Sequence, residues 1–365
     1  MAQFRRKPHR KSILRQDAVR VGGEVIEQQG VVRSTQLKKD PIKHRQKADA
    51  IGRIVGIASA VWLVEEESVY AGVHTEPLTL THECITGGVM TTDNPEDESL
   101  LAVGDWVDFA RLPDDPSRGV IIHVHKRSTR LFRYSPVEHR VHVIAANVER
   151  AVFVHAVTQP RFSRRLLDRH LVAAELGDVE PVIVFNKIDL GILPEVENAM
   201  SFYRDQLGIR MCLTSTITGE GIESLRLLMR SATSVFVGAS GVGKSALVNT
   251  CFGINLQAVR SISKKYQRGR HTTTNARLFH LPGSGQLIDT PGLREFALAR
   301  IEAEQLALYF HDFDPYYPHC KYMPCTHTHE PDCAVRAAVE SGEIDVERYE
   351  SYLLIFESLV NQENL

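Results

Sequence analysis

The sequence predicts a multidomain chain. A β-barrel of the OB-fold type comes first, then an α/β P-loop domain with a circularly permuted strand order, then a small α-helical unit built on a metal. Three observations carry this. Gly238-Ala239-Ser240-Gly241-Val242-Gly243-Lys244-Ser245 follows the apolar run Val235-Phe236-Val237 and opens a helix at Ala246. Asn186-Lys187-Ile188-Asp189 stands before that loop rather than after it. Cys320, Cys325, His327 and Cys333 crowd one short segment near the C-terminus. The expected division is a basic extension over 1–48, the barrel over 49–134, the α/β domain over 135–297 and the metal unit over 298–365.

A chain of 365 residues has room for several domains. Its net charge of −2 gives no global field for a polyanion. The charge is uneven, however. Residues 1–47 carry Arg5, Arg6, Lys7, Arg10, Lys11, Arg15, Arg20, Arg33, Lys38, Lys39, Lys43, Arg45 and Lys47 against few acids. Such an arm is either a solvated tail or a segment that orders on nucleic acid. No apolar run approaches membrane-spanning length, and Met1-Ala2-Gln3-Phe4-Arg5 lacks the apolar core of a signal peptide. Six cysteines, three of them packed between 320 and 333, read as a metal site in a reducing compartment. The expectation is a cytoplasmic monomer with no membrane partner.

From Gly52 to Phe132 short β signals alternate with turn clusters. Arg53–Ile57, Ala60–Val64, Gly104–Phe109 and Gly119–Val124 are the strands, and Pro113-Asp114-Asp115-Pro116 is a turn. A barrel of this size either carries RNA on one face or packs on its neighbour and binds nothing. Lys126-Arg127-Ser128-Thr129-Arg130 is expected to put positive charge at its exit.

After Asn147 the rhythm becomes α/β. Ala151–Val157, Pro181–Phe185, Arg210–Leu213 and Val235–Val237 are buried strands, with a helix from Arg164 to Leu176 between the first two. Ala276–Leu281 and Gly285–Ile288 add two more. Apolar strands alternating with helices mean a largely parallel sheet covered on both faces.

The glycine-rich loop has the G-x-x-x-x-G-K-S spacing. Its N–H groups, from Gly238 to Ala246, can wrap phosphates at a helix N-terminus; Lys244 reaches the β- and γ-phosphates, and the Ser245 hydroxyl ligates Mg²⁺. The Asp189 carboxylate matches the N1–H and 2-amino donors of guanine, which adenine lacks. Asn186 holds neighbouring loops, and the Lys187 stem lies along the base. Thr214 and Ser215, after the next strand, are candidates to touch the guanine carbonyl through backbone N–H. Asp289-Thr290-Pro291-Gly292 ends another strand: Asp289 reaches Mg²⁺ through water, and the Gly292 N–H reaches the γ-phosphate. A threonine hydroxyl in the run His271-Thr272-Thr273-Thr274 is placed to complete the Mg²⁺ shell as a switch loop does. GTP and Mg²⁺ are therefore the expected ligands. In ordinary GTPases the P-loop precedes N-K-x-D. Here the order is reversed, which is tolerated because strands meet in space whatever their chain order, provided the old termini were close.

A Ras-like enzyme carries a water-orienting glutamine just after this glycine. Here the residue is Leu293, so another group must do that work. His271 or a partner is the candidate.

Cys320, Cys325, His327 and Cys333 supply a Cys₃His set for one structural Zn²⁺, with His319 and His329 as competitors for the imidazole position. Behind the cluster, Val346, Tyr349, Tyr352, Leu353, Phe356 and Val360 form a helical stripe read as core rather than as a partner surface.

These residues resemble the RsgA/YjeQ GTPases over about residues 50–360. The resemblance rests on the permuted order Asn186…Asp189, Gly238…Ser245, His271–Thr274, Asp289…Gly292. It also rests on the cysteine cluster with His329-Glu330-Pro331-Asp332-Cys333-Ala334-Val335, and on Ala146-Asn147-Val148 before the first α/β strand. It implies an N-terminal OB-fold, a permuted GTPase domain and a C-terminal zinc domain. The activity it implies is GTP hydrolysis stimulated by the small (30S) ribosomal subunit and its rRNA during late maturation, with release afterwards. It also suggests a catalytic role for His271 and a switch role for Thr273. The alternative is a GTP-gated RNA-binding module with incidental hydrolysis; a P-loop ATPase or kinase with an accidental N-K-I-D is a further one. Departures from the family pattern are Ala239 for a common glutamine, Glu149 for a common aspartate, and the long basic extension.

Overall fold

The computed structural model describes residues 31–32, 47–58, 61–67, 80–135, 140–254, 276–283, 285–290, 298 and 301–363. His271, Thr273, Gly292 and most of the basic extension lie outside the described residues.

The barrel is built from β2 (Ala50–Ala58), β3 (Val61–Glu66), β4 (Thr81–Thr92), β5 (Trp106–Leu112) and β6 (Asp115–Val124). A two-residue strand before it, β1 (Val31–Val32), pairs with β4. The ladders run β2–β3–β4–β6–β5 and return to β2, so the five strands close on themselves. Closure removes the exposed edges that an open sheet of this size would present. Ile54, Val64, Val107, Phe109, Ile121 and Val124 fill the interior. Val107 and Phe109 alternate on β5, and the register shift opposite them lets Ile121 and Val124 of β6, three apart, both turn inward. The longest strand, β4, was not among the sequence expectations. Its stretch Thr81-His-Glu-Cys-Ile-Thr is too polar to signal a strand, and the barrel recruits it by pairing on both edges.

The expected basic exit is only partly neutralised: Lys126 is exposed, but both arginines are paired. Arg127 is buried, with its guanidinium against Asp105 and Asp97 at 2.8 Å, and Arg130 pairs with Glu96 at 2.8 Å. Chain proximity suggested a charged surface, but folding buries the counter-ions with it.

Then follow β7 (Arg130–Ser135) and β8 (Arg140–Ala146), a hairpin of their own. The α/β sheet comprises β9 (Arg150–Ala156), β10 (Glu180–Asn186), β11 (Arg210–Thr214), β12 (Thr233–Val237), β13 (Arg277–His280) and β14 (Gln286–Asp289). In space the order is β13-β14-β12-β9-β10-β11. All pairs are parallel except β13 with β14. The chain therefore enters at a central strand, runs out to β11 and returns to the other half, which is the permuted order the motifs predicted.

Helix α1 (Arg164–Leu176) starts where the Ser163 hydroxyl caps the Leu166 N–H. Helices α2 (Pro194–Ser201), α3 (Ile222–Leu228) and α4 (Lys244–Phe252) follow. The C-terminal unit holds α5 (Ala334–Glu340) and α6 (Val346–Glu363). Among the described residues no helix is long and apolar enough to cross a membrane.

Helix α6 packs on α1, so the stripe is core as expected. Its centre is shifted: Arg348, Ser351, Tyr352, Ile355 and Leu359 are buried, while Val346 is exposed. The shift has a cause. Arg348 lies against the buried Asp168 of α1, with Asp312 at 3.3 Å and the Phe310 ring 4.0 Å from its guanidinium carbon. An ion pair, invisible to a hydrophobic pattern, sets the helix's rotation.

Barrel and α/β sheet are also joined. Gly56 of β2 pairs with Arg277 of β13. Arg53 is buried and donates to Gly104 O (3.3 Å), Thr233 Oγ1 (3.2 Å), Asn147 O (2.9 Å) and Gln286 Oε1. Thr233 and Gln286 are the first residues of β12 and β14, whose far ends carry the P-loop and Asp289.

Candidate functional site

The C-terminal ends of β10, β11, β12 and β14 lie along one edge of the sheet. Loops there converge, as open parallel sheets require of a ligand crevice. Asn186 ends β10, Thr214 ends β11, Gly238 follows β12 and Asp289 ends β14.

The loop from Gly238 to Gly243 is shaped by its glycines. Gly243 has φ +99°, and a Cβ there would sit 2.3 Å from Asn186 Nδ2. Only glycine therefore lets Asn186 reach the loop. A Cβ at Gly238 would meet Val154 O at 2.2 Å. Lys244 opens α4, and its ammonium donates to Gly238 O (2.6 Å) and Ala239 O (2.7 Å). The cation is thus held at the loop's mouth, beside the helix N-terminus, where a phosphate chain fits. Val242 points inward and is buried; Ser240, Gly241 and Ala246 are exposed, and Ser245 is half-buried.

The Asn186-Lys187-Ile188-Asp189 segment is tied to this loop. Asn186 Nδ2 donates to Val242 O at 2.9 Å, and Lys187 Nζ donates to Gly241 O (2.7 Å) and Gln159 O (2.6 Å). Asp189 is exposed, and its Oδ1 accepts from the Ser215 hydroxyl at 2.6 Å. Ser215 Oγ in turn accepts from the Ile217 and Thr218 N–H groups at 3.1 Å. Ser215 therefore aims the carboxylate. Its own N–H is bonded to Glu220 O (3.0 Å), and Thr214 is fully buried with its hydroxyl on Asn186 Oδ1 (3.1 Å). Through their side chains, Ser215 positions Asp189 and Thr214 positions Asn186.

Sequence reasoning also missed Gln159, which acts through a carbonyl and leaves no side-chain signal. Arg53 did leave one: an arginine inside an otherwise apolar strand. The Glu149 departure touches only the foot of β12, where its carboxylate accepts the Thr233 N–H.

The second cluster is metal-like. Cys320, Cys325, His327 and Cys333 are all buried, with one ligand atom from each within 4.8 Å of the others. Cys320 Sγ lies 3.9 Å from Cys333 Sγ and 3.6 Å from His327 Nδ1, which is 3.4 Å from Cys333 Sγ. A tetrahedron with bonds of about 2.0–2.3 Å has edges of about 3.3–3.8 Å, so this donor set fits Zn²⁺. All the cysteines are free, which fits thiolate ligation and not a disulfide. Burial lowers the His327 pKa, keeping the imidazole neutral as a ligand must be, and pushes Cys325 up to about 12. Such a thiol gives up its proton to a cation, not to water. His319 and His329 are exposed, and it is His327 that lies with the three cysteines. Glu330 folds the loop by accepting from the Thr326 (2.7 Å) and Thr328 (3.1 Å) N–H groups, and Tyr349 clamps His327 O at 2.7 Å.

The family model for the RsgA GTPase matches residues 124–299. The small ribosomal subunit biogenesis GTPase RsgA of Chlorobaculum tepidum is 45% identical over 276 residues, 74% of this chain and 88% of that protein. Its counterpart in Klebsiella pneumoniae (strain 342) is 42% identical over 247 residues, 66% of this chain and 69% of the relative. Among solved structures, YjeQ from Thermotoga maritima superposes with a TM-score of 0.64 at 31% identity, covering 85% of this chain and 98% of its own. YloQ, described as a circularly permuted GTPase, gives 0.61 at 28% identity, covering 88% and 98%. Permuted sheet, paired nucleotide motifs and sequence relatives agree: the chain belongs to the RsgA GTPase family and is an enzyme that hydrolyses GTP.

Proposed function

We propose that this GTPase acts on the small ribosomal subunit and its rRNA during late maturation, as a monomer in the cytoplasm, with its four segments divided as the sequence suggests. One observation supports the nucleotide reading above the rest: Asn186 Nδ2 lies 2.9 Å from Val242 O, so the base reader and the phosphate loop touch despite their reversed chain order. Lys244 holds the β- and γ-phosphate oxygens, and the N–H groups of the Gly238–Ala246 loop cradle the chain. Ser245 and Asp289 are the residues that hold Mg²⁺. The ion, when bound, draws charge from the phosphates as they separate. Asp189, aimed by Ser215, selects guanine. His271 orients the attacking water, while Thr273 and Gly292 sense the γ-phosphate; these three assignments rest on their motif positions. The Cys₃His cluster holds one structural Zn²⁺ against α6, and α6 is bonded to α1, so the metal unit is anchored on the GTPase sheet. The basic extension is the natural reach towards rRNA.

Hydrolysis should be measured with and without purified small subunits at fixed salt, because phosphate contacts are salt-dependent. Strong stimulation, lost in His271→Ala with GTP binding retained, is the expected result. No stimulation sinks the proposal and leaves the second reading, a GTP-gated RNA-binding module, which Leu293 favours by lacking a water-orienting amide.

Base selection has its own test. Asp189→Asn replaces one acceptor with a donor opposite the guanine N1–H and 2-amino groups. Charged hydrogen bonds are worth about 1.5–3 kcal/mol each, so GTP affinity should fall about 10- to 100-fold while weak ATP binding stays unchanged. Competition against a fluorescent guanine nucleotide reads this directly. Unchanged GTP affinity removes Asp189 from the site.

A further inference from the structure

A second group of metal-ligating side chains sits on the barrel, far in sequence from both sites above. Asp93, His123 and His125 each bring one ligand atom within 4.8 Å of the others. Strand alternation explains how. His123 and His125 are two apart, so they leave the same face of the chain at the end of β6, while Val124 between them points into the barrel and is fully buried. Thr91 of β4 and Asp108 of β5 are the register partners of His123 on either side. Both ladders shift register beside this point, between Thr86 and Thr91 on one side and at Asp108–Phe109 on the other. Such irregularities re-aim side chains, and here they gather the polar groups of three strands.

The hydrogen bonds sort the four imidazole nitrogens. His123 Nδ1 faces the Thr91 hydroxyl at 2.8 Å, which turns Nε2 to Asp93 Oδ2 at 3.2 Å. His125 Nε2 is bonded to Asp108 Oδ1 at 2.8 Å, which leaves its Nδ1 for another partner. Each ring thus has one nitrogen committed to an oxygen outside the trio. Metal-ligating histidines show this pattern: the far N–H goes to a carboxylate or hydroxyl, fixing the tautomer and raising the basicity of the ligating nitrogen. Asp108–His125 has the form of a carboxylate–histidine–metal relay.

We propose that Asp93, His123 and His125 bind a second divalent transition-metal ion of the zinc class, with Thr91 and Asp108 as the groups that orient the two imidazoles. Two imidazole nitrogens and one carboxylate suit Zn²⁺ and its neighbours in the first row, and disfavour Mg²⁺ and Ca²⁺, which take oxygen ligands. His123 sits on β6, and Asp93 and His125 directly follow the last residues of β4 and β6, so the closed barrel anchors all three at its strand ends. Three protein ligands leave a coordination position for water, so this site differs from the closed Cys₃His cluster. It clamps the ends of β4 and β6, the one parallel pair of the barrel.

The test is the metal content of the full-length protein after equilibrium dialysis against Zn²⁺ alone, followed by titration of the weaker site. Wild-type protein is expected to hold two ions per chain. His123→Ala/His125→Ala and Asp93→Asn should each hold one. Asp108→Asn should keep the site but weaken it about 10- to 100-fold, the usual cost of losing an orienting partner. Thermal melting in chelator checks that each variant is folded. Asp93 is half-exposed and its change is isosteric, so it carries the test if the double variant unfolds. One ion in the saturated wild type overturns the proposal, as does a second ion that survives Asp93→Asn and the double variant.

Discussion

Lys244→Ala is expected to lower GTP turnover by about 100- to 1000-fold, the usual cost of deleting a preorganised charge from a transition state. The ammonium is held by the Gly238 and Ala239 carbonyls at 2.6 and 2.7 Å, beside the N-terminus of α4. Charge gathers on the phosphate oxygens as the γ-phosphoryl group transfers, and no other lysine or arginine among the described residues lies in the loop from Gly238 to Ser245. The fold should survive the change. Lys244 is a half-buried first-turn residue of α4, and the buried residues of that helix are Leu247, Val248 and Cys251. Single-turnover hydrolysis with subunits present, beside a melting curve, separates the two effects. Turnover within about threefold of wild type, against the 100-fold expected of such a charge, would remove Lys244 from the chemistry.

Arg348→Met is expected to destabilise the protein by about 3–5 kcal/mol, the typical result of stranding one member of a buried ion pair. Asp168 is fully buried on α1 and is also bonded to the Tyr203 hydroxyl. Burial by itself would push the Arg348 guanidinium towards losing its proton, and the charges of Asp168 and Asp312 more than offset this, so its pKa is raised and it stays charged. Removing the cation leaves the Asp168 charge without it in a dry interface between α1 and α6. The double change Asp168→Asn/Arg348→Met removes both charges and should recover much of the loss. Urea unfolding measures both, and a shift below about 1 kcal/mol for Arg348→Met would show that the pair is not the clamp, since that is the range of exposed ion pairs. Because α6 carries Tyr349 against the metal loop, the single change should also loosen the grip on Zn²⁺.

Much of the site was legible in the chain. G-x-x-x-x-G-K-S and N-K-x-D work through local geometry: a strand end, a glycine turn, a helix start. Their residues therefore sit where spacing alone puts them. The Cys₃His cluster was legible for a similar reason, because its residues lie close in sequence and bringing them together needs no more than loop closure. Even the permutation could be read, since motif order is a property of the chain.

Other features were decided by residues far apart. Sequence alone placed Thr214 and Ser215 near the base, but only the fold turned Ser215 into the group that aims Asp189 and buried Thr214 behind Asn186. It offered three histidines to the zinc, and burial chose His327. A charged exit from the barrel was expected, and Asp97 and Asp105 buried its Arg127 as an ion pair while Lys126 stayed exposed. The α6 stripe was read from hydrophobic periodicity, yet a charge pair with Asp168, 180 positions away, rotated it. Asp93, His123 and His125 form no motif, because their meeting depends on which strands of the barrel are neighbours. Short-range steric and coordination rules are written along the chain. Burial, charge compensation and strand neighbourhood exist only once distant segments meet, and they settled the remainder.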